Sequence, residues 1–254
     1  VISSRPKDEQ VTEVRRLVDV QENFASAGHP AEAVTECKQA TAAVLVELAT
    51  AWHREAIGTD DQPGTRDAET MRHAAALYGV LLDAFPRLDA LELPRLDRRD
   101  RPSRARVSFF RADLLFEQQR WSECAASFEA TLDAEPDAQL AADAAYGAAK
   151  AALHALTTRM AQQWGPEVRV NCIAPGLVRT DFARALWEDP DRLREAIATY
   201  PLGRIGEPED LAGAALFQAG LAERGAVVLA RRPDRVDAGA GQRRALQDLR
   251  RPLG

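Results

Sequence analysis

Two residue types at one spacing stand out for chemistry: Tyr146 and Lys150, four apart in the run Tyr146-Gly-Ala-Ala-Lys150. Residues four apart on a helix share a face, so this spacing sets an ammonium beside a phenol. A free phenol titrates near pH 10, too high for efficient proton transfer at neutral pH. A neighbouring cation favours the phenolate, which makes the pair a candidate general acid and base. The competing reading is packing, with the Tyr146 ring filling a helix crossing and its hydroxyl idle, and it is the leading expectation here. No other side chains converge on a reaction. His29, His53, His73 and His154 share no metal-ligand spacing and read as surface or helix-face residues. Ser122 and Ser127 have no neighbouring His/Asp arrangement. Cys37, Cys124 and Cys172 are scattered and odd in number, so neither a metal site nor a disulfide framework is expected.

The elements that must position Tyr146 and Lys150 change character along the chain. Residues 11–24, 31–54 and 67–84 carry apolar residues at three- and four-residue spacing and read as helices. Gly28-His29-Pro30, the stretch 58–64 and the charged, proline-bearing stretch 86–102 break them. Residues 137–164 form one long helical pattern with Gly147 its only breaker. Residues 168–173 (VRVNCI) are β-rich and end at Ala174-Pro175-Gly176, which predicts a buried strand holding an inert Cys172, then a turn. A helical excursion over 180–200 follows. Pro208, with Glu209 and Asp210 behind it, opens a last helix to about Gln218. Residues 226–230 read as a short strand, and the arginine-rich remainder as an exposed helix or disordered tail.

Composition excludes several classes. The 254 residues suffice for one α/β domain or two small ones. A net charge of −6 argues against a nucleic-acid partner. No apolar run reaches the length of a membrane span, and no signal-peptide pattern opens the chain, so a cytoplasmic location is expected. The first residue, Val1, suggests a fragment or a processed start.

Three phrases occur in family order and near family spacing: Tyr146-Gly-Ala-Ala-Lys150, VRVNCIAPGLVRTDF at 168–182, and PLGRIGEPEDLAGAALF at 201–217. Residues 146–217 thereby resemble the C-terminal, catalytic half of a short-chain dehydrogenase/reductase. The resemblance implies a Rossmann-like α/β fold, with Tyr146 and Lys150 as the catalytic pair. Pro175, Gly176, Val178 and Thr180 would form the loop beneath a nicotinamide, and residues 182–200 a mobile substrate lid. The activity implied is an NAD(P)-dependent oxidoreductase acting on a carbonyl or alcohol.

The rest of that family's pattern is missing. No G-x-G-x-x-G occurs, Gly239-Ala-Gly241 being the nearest approach, and the family's serine position falls near Asp133. Upstream, residues 105–136 resemble a tetratricopeptide repeat. Ala112 and Cys124 take its small positions, Trp121 opens its second helix, Phe128 is its aromatic and Pro136 closes it. Ala74, Tyr78 and Pro86 fit the second helix of another repeat, and an Ala-Ala-Tyr phrase at 144–146 suits the first helix of a third. The fold expected is therefore mixed. Residues 1–145 would be α-helical and tetratricopeptide-like, 146–217 an incomplete α/β (Rossmann-like) fragment, and 218–254 a tail of unassigned origin. Such a composite supports no complete activity. It predicts no cofactor, unless NAD or NADP acts with a cofactor half supplied elsewhere, and it offers a protein or peptide partner the groove of the helical part.

Overall fold

The structure is a computed structural model that describes residues 6–59, 62–93, 102–181, 183–198, 200 and 202–220. The expected strand at 226–230, Gly239-Ala-Gly241 and the arginine-rich tail lie outside the described residues, as does 94–101 of the connector. The chain divides into two compact units between Ala152 and Leu153.

The first unit is helical throughout: α1 Lys7–Ser26, α2 Ala31–Ile57, α3 Ala68–Ala84, α4 Arg104–Glu117, α5 Trp121–Asp133 and the first half of α6, Ala138–Trp164. Several starts are set by short polar residues that accept otherwise unpaired amides. Asp67 accepts from the Thr70 N–H at 2.7 Å, Ser103 from Arg106 at 3.2 Å, and Asp137 from Leu140 at 2.9 Å. The end of α2 is set by Gly58, whose φ of 95° suits glycine and whose Cβ, if present, would lie 2.3 Å from the Gly64 nitrogen. Helix α2 packs on α3, α3 on α4 and α4 on α5, while α1 lies across α2 and α3. Leu45, Leu77, Leu81, Phe109, Leu114 and Phe128 are fully buried in one core. Each such side chain contributes roughly 1.5–3 kcal/mol of burial.

Most of the small and aromatic positions singled out in the sequence face this core, Trp121, Ala145 and Tyr146 being the exceptions. Ala74, Tyr78, Ala112, Cys124 and Phe128 are fully buried. The α4/α5 crossing is close enough for the Cys124 thiol to donate to the Ala112 carbonyl at 3.3 Å. Burial pushes that thiol far above its usual range, which leaves it unreactive. One expectation fails here: His53 is not a surface residue but is 1% exposed. Its Nδ1 shares a hydrogen bond with the Tyr78 hydroxyl at 3.3 Å, and its ring meets Phe110 edge to face. Nε2 lies 3.5 Å from the Asp113 carboxylate, too long for a well-formed bond. The position reads as helix face in sequence because α2 is covered on several sides, and a histidine paired across helices passes for one at the surface.

Helix α6 runs unbroken through Tyr146, as its composition predicts. Leu140, Ala144 and Ala151 bury one face of it. Gly147 completes that face, and a Cβ there would lie 2.5 Å from Phe128 Cζ. Its bareness lets the Phe128 ring lie directly against the α6 backbone.

The second unit, described from Leu153 to residue 220, contains the rest of α6, then α7 Arg184–Trp187, α8 Pro190–Ile197 and α9 Pro208–Gly220. The excursion over 180–200 and the helix opened by Pro208 thus form where expected. The strand does not. Residues 168–173 make no ladder, Val168 is 49% exposed, and Cys172 is half-buried rather than buried. Among the described residues there is no sheet, only the isolated bridges Gly58↔Pro63 and Val178↔Gly206. The expected α/β fragment is therefore absent from the described residues. A β-rich run needs paired neighbours to become a strand, and these residues lack them. Val178 and Ile205 are the buried apolar residues of this unit beyond α6. They sit beside the short parallel bridge, in which Gly206 N–H donates to Leu177 and Arg179 N–H to Gly206.

Candidate functional site

The geometry of α6 sets the Tyr146/Lys150 pair. With Leu140, Ala144, Gly147 and Ala151 turned inward, the helical period carries Tyr146 to the opposite side, where it is 52% exposed. The packing expectation for Tyr146 is thereby corrected: the inward place goes to Gly147, against Phe128. Lys150 lies one turn on, with its ammonium 5.3 Å from the centre of the Tyr146 ring and 5.9 Å from that of Phe116. Phe116 in turn meets Trp121 edge to face, with ring centres 5.2 Å apart. The ammonium thus lies near two aromatic faces, an arrangement worth roughly 0.5–1 kcal/mol at an exposed site. Sequence spacing and structure agree that the two side chains are neighbours.

The loop residues belong to the second unit. Pro175, Gly176 and Thr180 are exposed, while Val178 turns inward. The backbone on either side of Val178 is engaged. Leu177 N–H donates to the Tyr200 hydroxyl at 2.9 Å, and Trp187 Nε1–H donates to the Thr180 carbonyl at 2.8 Å. Arg179 pairs with Glu207 at 3.0 Å and stacks 5.0 Å from the centre of the Trp187 ring. Just beyond, Arg204 and Asp210 pair at 2.8 Å, and Asp210 also accepts from the Glu207 N–H at 2.9 Å. These bonds hold the Asp210 carboxyl down to about 2. Tyr200 and Trp187 are partners of this loop that the sequence reading does not single out. Both lie inside the excursion, and nothing in their spacing points back to 177–180.

Neither group of residues fits a nicotinamide dinucleotide as it stands. The polar backbone around Val178 is occupied by the chain's own side chains, Val178 itself is buried, and the 254 residues hold no glycine-rich phosphate loop. Among the described residues, no group of His, Cys, Asp and Glu is placed to hold a metal ion. No described helix is long and apolar enough to cross a membrane.

Residues 131–227 match the family model described as enoyl-(acyl carrier protein) reductase. The segment thus matches the short-chain dehydrogenase/reductase family, and the match starts earlier and ends later than the 146–217 read from the motifs. Among curated proteins, the segment is similar to a bovine dehydrogenase/reductase SDR family member 4, at 49% identity over 73 residues, 28% of this chain and 26% of that protein. It is equally similar, at 49% over 75 residues, to a 3alpha-hydroxysteroid dehydrogenase of Mediterraneibacter gnavus, covering 29% of each chain. A galactitol 2-dehydrogenase (L-tagatose-forming) of Cereibacter sphaeroides is 44% identical over 75 residues, 29% of this chain and 30% of that one. The chain therefore spans between a quarter and a third of the length of these relatives. No solved structure matches it.

Proposed function

We propose that the matched segment is the acid–base portion of a short-chain oxidoreductase, borne on a tetratricopeptide-like helical array. Tyr146 would give or take the proton at its Oη as a carbonyl and an alcohol interconvert, with Lys150 as its electrostatic partner. The observation that carries this reading is the pair itself: an ammonium 5.3 Å from the centre of a half-exposed tyrosine ring, inside the most motif-rich stretch of the chain. NAD or NADP would be held by a nucleotide-binding part beyond these 254 residues, and the chain by itself would turn nothing over. The fully buried small and aromatic positions at the α3, α4 and α5 crossings support the repeat reading. A chain composed of these two parts would also bind a protein or peptide through its helical face.

The test is a hybrid enzyme. The matched stretch of about 73 residues in the bovine relative is replaced by the corresponding stretch of this chain, including Tyr146 and Lys150. The hybrid should reduce small carbonyls with NADH or NADPH, and Tyr146→Phe should abolish turnover while the fold is kept. A folded hybrid that binds nucleotide but is inactive, or one whose activity survives Tyr146→Phe, would refute the proposal.

A further inference from the structure

The lysine of the candidate pair meets an aromatic ring from outside the stretch that carries the pair. Tyr146 and Lys150 both lie on α6, within the matched residues 131–227, whereas Phe116 belongs to α4, upstream of them. The Lys150 ammonium lies 5.9 Å from the centre of the Phe116 ring and 5.3 Å from that of Tyr146. Phe116 is itself fixed on two sides: it packs against the helical core, and Trp121 of α5 meets it edge to face. A cation favours aromatic faces, so a fixed ring beside a long, flexible side chain restricts where its charge sits. The charges flanking these residues are already engaged or act the other way. Glu117, next to Phe116, pairs with Arg66 at 2.8 Å, and Arg120 pairs with Glu123 across the start of α5 at 2.8 Å. Asp143, one turn before Tyr146, accepts from Gln139 at 3.3 Å, and its carboxylate opposes a phenolate. Lys150 is the cation of α6 that lies within about a turn of Tyr146, and where it sits is set by Phe116.

We propose that Phe116 is a positioning residue for the Tyr146/Lys150 pair: through this one ring, the helical array seats the ammonium against the phenol and so sets how readily Tyr146 ionises. The seat is a property of the chain as it stands, and it rests on the acid–base reading only for its catalytic meaning. Its leverage follows from electrostatics. At a separation on the order of 5 Å in water, a unit charge moves a neighbouring ionisation by about half a pH unit. Released from the Phe116 ring, Lys150 spreads over its many solvated rotamers, and most of that effect is lost.

The experiment uses the full chain with no nucleotide. Tyrosine isotopically labelled at Cζ follows each phenol through its ionisation by NMR, Tyr146 being assigned by the signal lost in Tyr146→Phe. Phe116→Leu should raise the pH at which Tyr146 ionises by about half a unit. At neutral pH it should also move the Lys150 ε-methylene protons downfield, out of the shielding of the ring. Phe116→Tyr keeps the ring and should leave both readings near their starting values. Lys150→Gln should raise the Tyr146 ionisation at least as far, and adding Phe116→Leu to it should change nothing more, because Phe116 acts through Lys150. If Phe116→Leu does not fold, Trp121→Leu removes the edge contact alone and should move Tyr146 in the same direction by less. A Tyr146 ionisation that stays or falls in the variant read, or a further rise when that variant is added to Lys150→Gln, would overturn the seat. The hybrid enzyme tests the catalytic reading separately. An inactive hybrid beside a Tyr146 that responds to Phe116 would sink the acid–base reading and leave the seat standing; an active hybrid beside a Tyr146 that ignores Phe116 would do the reverse.

Discussion

Gly147→Ala is the substitution that most sharply probes how α6 presents its tyrosine and lysine. In an exposed helix interior, replacing glycine by alanine stabilises by about 1 kcal/mol, because the backbone loses less entropy on folding. At this position the new methyl would lie 2.5 Å, 2.6 Å and 2.9 Å from three atoms of the Phe128 ring. Ordinary carbon contacts begin nearly an ångström farther out. Phe128 is fully buried and packs edge to face on Phe109, whose centre is 5.4 Å away and which is also fully buried. Beside it, the Ser127 hydroxyl is tied to the Ser108 carbonyl at 3.0 Å. The ring therefore cannot retreat without moving a second aromatic or prising α6 from α5. Overpacking of this kind costs about 1–3 kcal/mol, and the three close contacts argue for the upper half of that range. Set against the propensity gain, the net is a loss of about 1–2 kcal/mol. Gly79→Ala is the matched control. It too sits within a helix, but its nearest neighbour is the Arg111 side chain at 3.6 Å, an ordinary contact, so the gain of up to about 1 kcal/mol should be realised. Urea unfolding followed by far-ultraviolet circular dichroism measures both. Phe128→Leu should rescue Gly147→Ala in a double-mutant cycle. If Gly147→Ala stabilises as much as Gly79→Ala, the seating of the Phe128 ring against Gly147 is wrong, and with it the outward placement of Tyr146.

Three further outcomes are expected. Tyr78→Phe removes the hydroxyl bound to His53 Nδ1 and strands a buried ring nitrogen, at a cost of about 1–3 kcal/mol by urea unfolding; a neutral effect would refute the buried pairing. Burial holds His73 below its usual value, so protonation favours the unfolded chain: stability is fully present above pH 6.5 and declines as pH falls through it. His73→Gln should flatten that decline in melts between pH 7 and about pH 5. Tyr146→Ala should cost less than about 1 kcal/mol, since a half-exposed ring has little burial to lose, and a cost above about 2 kcal/mol would restore the packing reading.

The sequence made the helical unit legible because its signals are local. Helical spacing, the Gly- and Pro-bearing breaks, and the small and aromatic residues at the α4/α5 crossing each act within a turn or two of where they are written. The continuity of α6 was legible for the same reason, since one glycine in an alanine-rich run does not break a helix. What depended on partners was not legible. Residues 168–173 have strand composition, but composition cannot supply the neighbouring strands that turn it into a ladder. His53 was misread because pairing across three helices leaves no mark on its own helix. Tyr146 looked like a packing residue because its alanine neighbours suit a helix crossing equally well on either face. Its true direction follows from Gly147, which only the structure sets against Phe128. The bonds of Trp187 to the Thr180 carbonyl and of the Leu177 amide to Tyr200 join side chains to backbone, and backbone groups carry no sequence signature.

We propose that Tyr146 and Lys150 form an acid–base pair of the short-chain oxidoreductase type and that these 254 residues by themselves do not hold the nucleotide such a pair serves. Calorimetric titration of the full chain with NADH and with NADPH tests it most directly. No saturable binding is predicted up to millimolar nucleotide, because no glycine-rich phosphate loop is present and the 177–180 backbone is already engaged. A saturable isotherm with a dissociation constant below about 0.1 mM would contradict it.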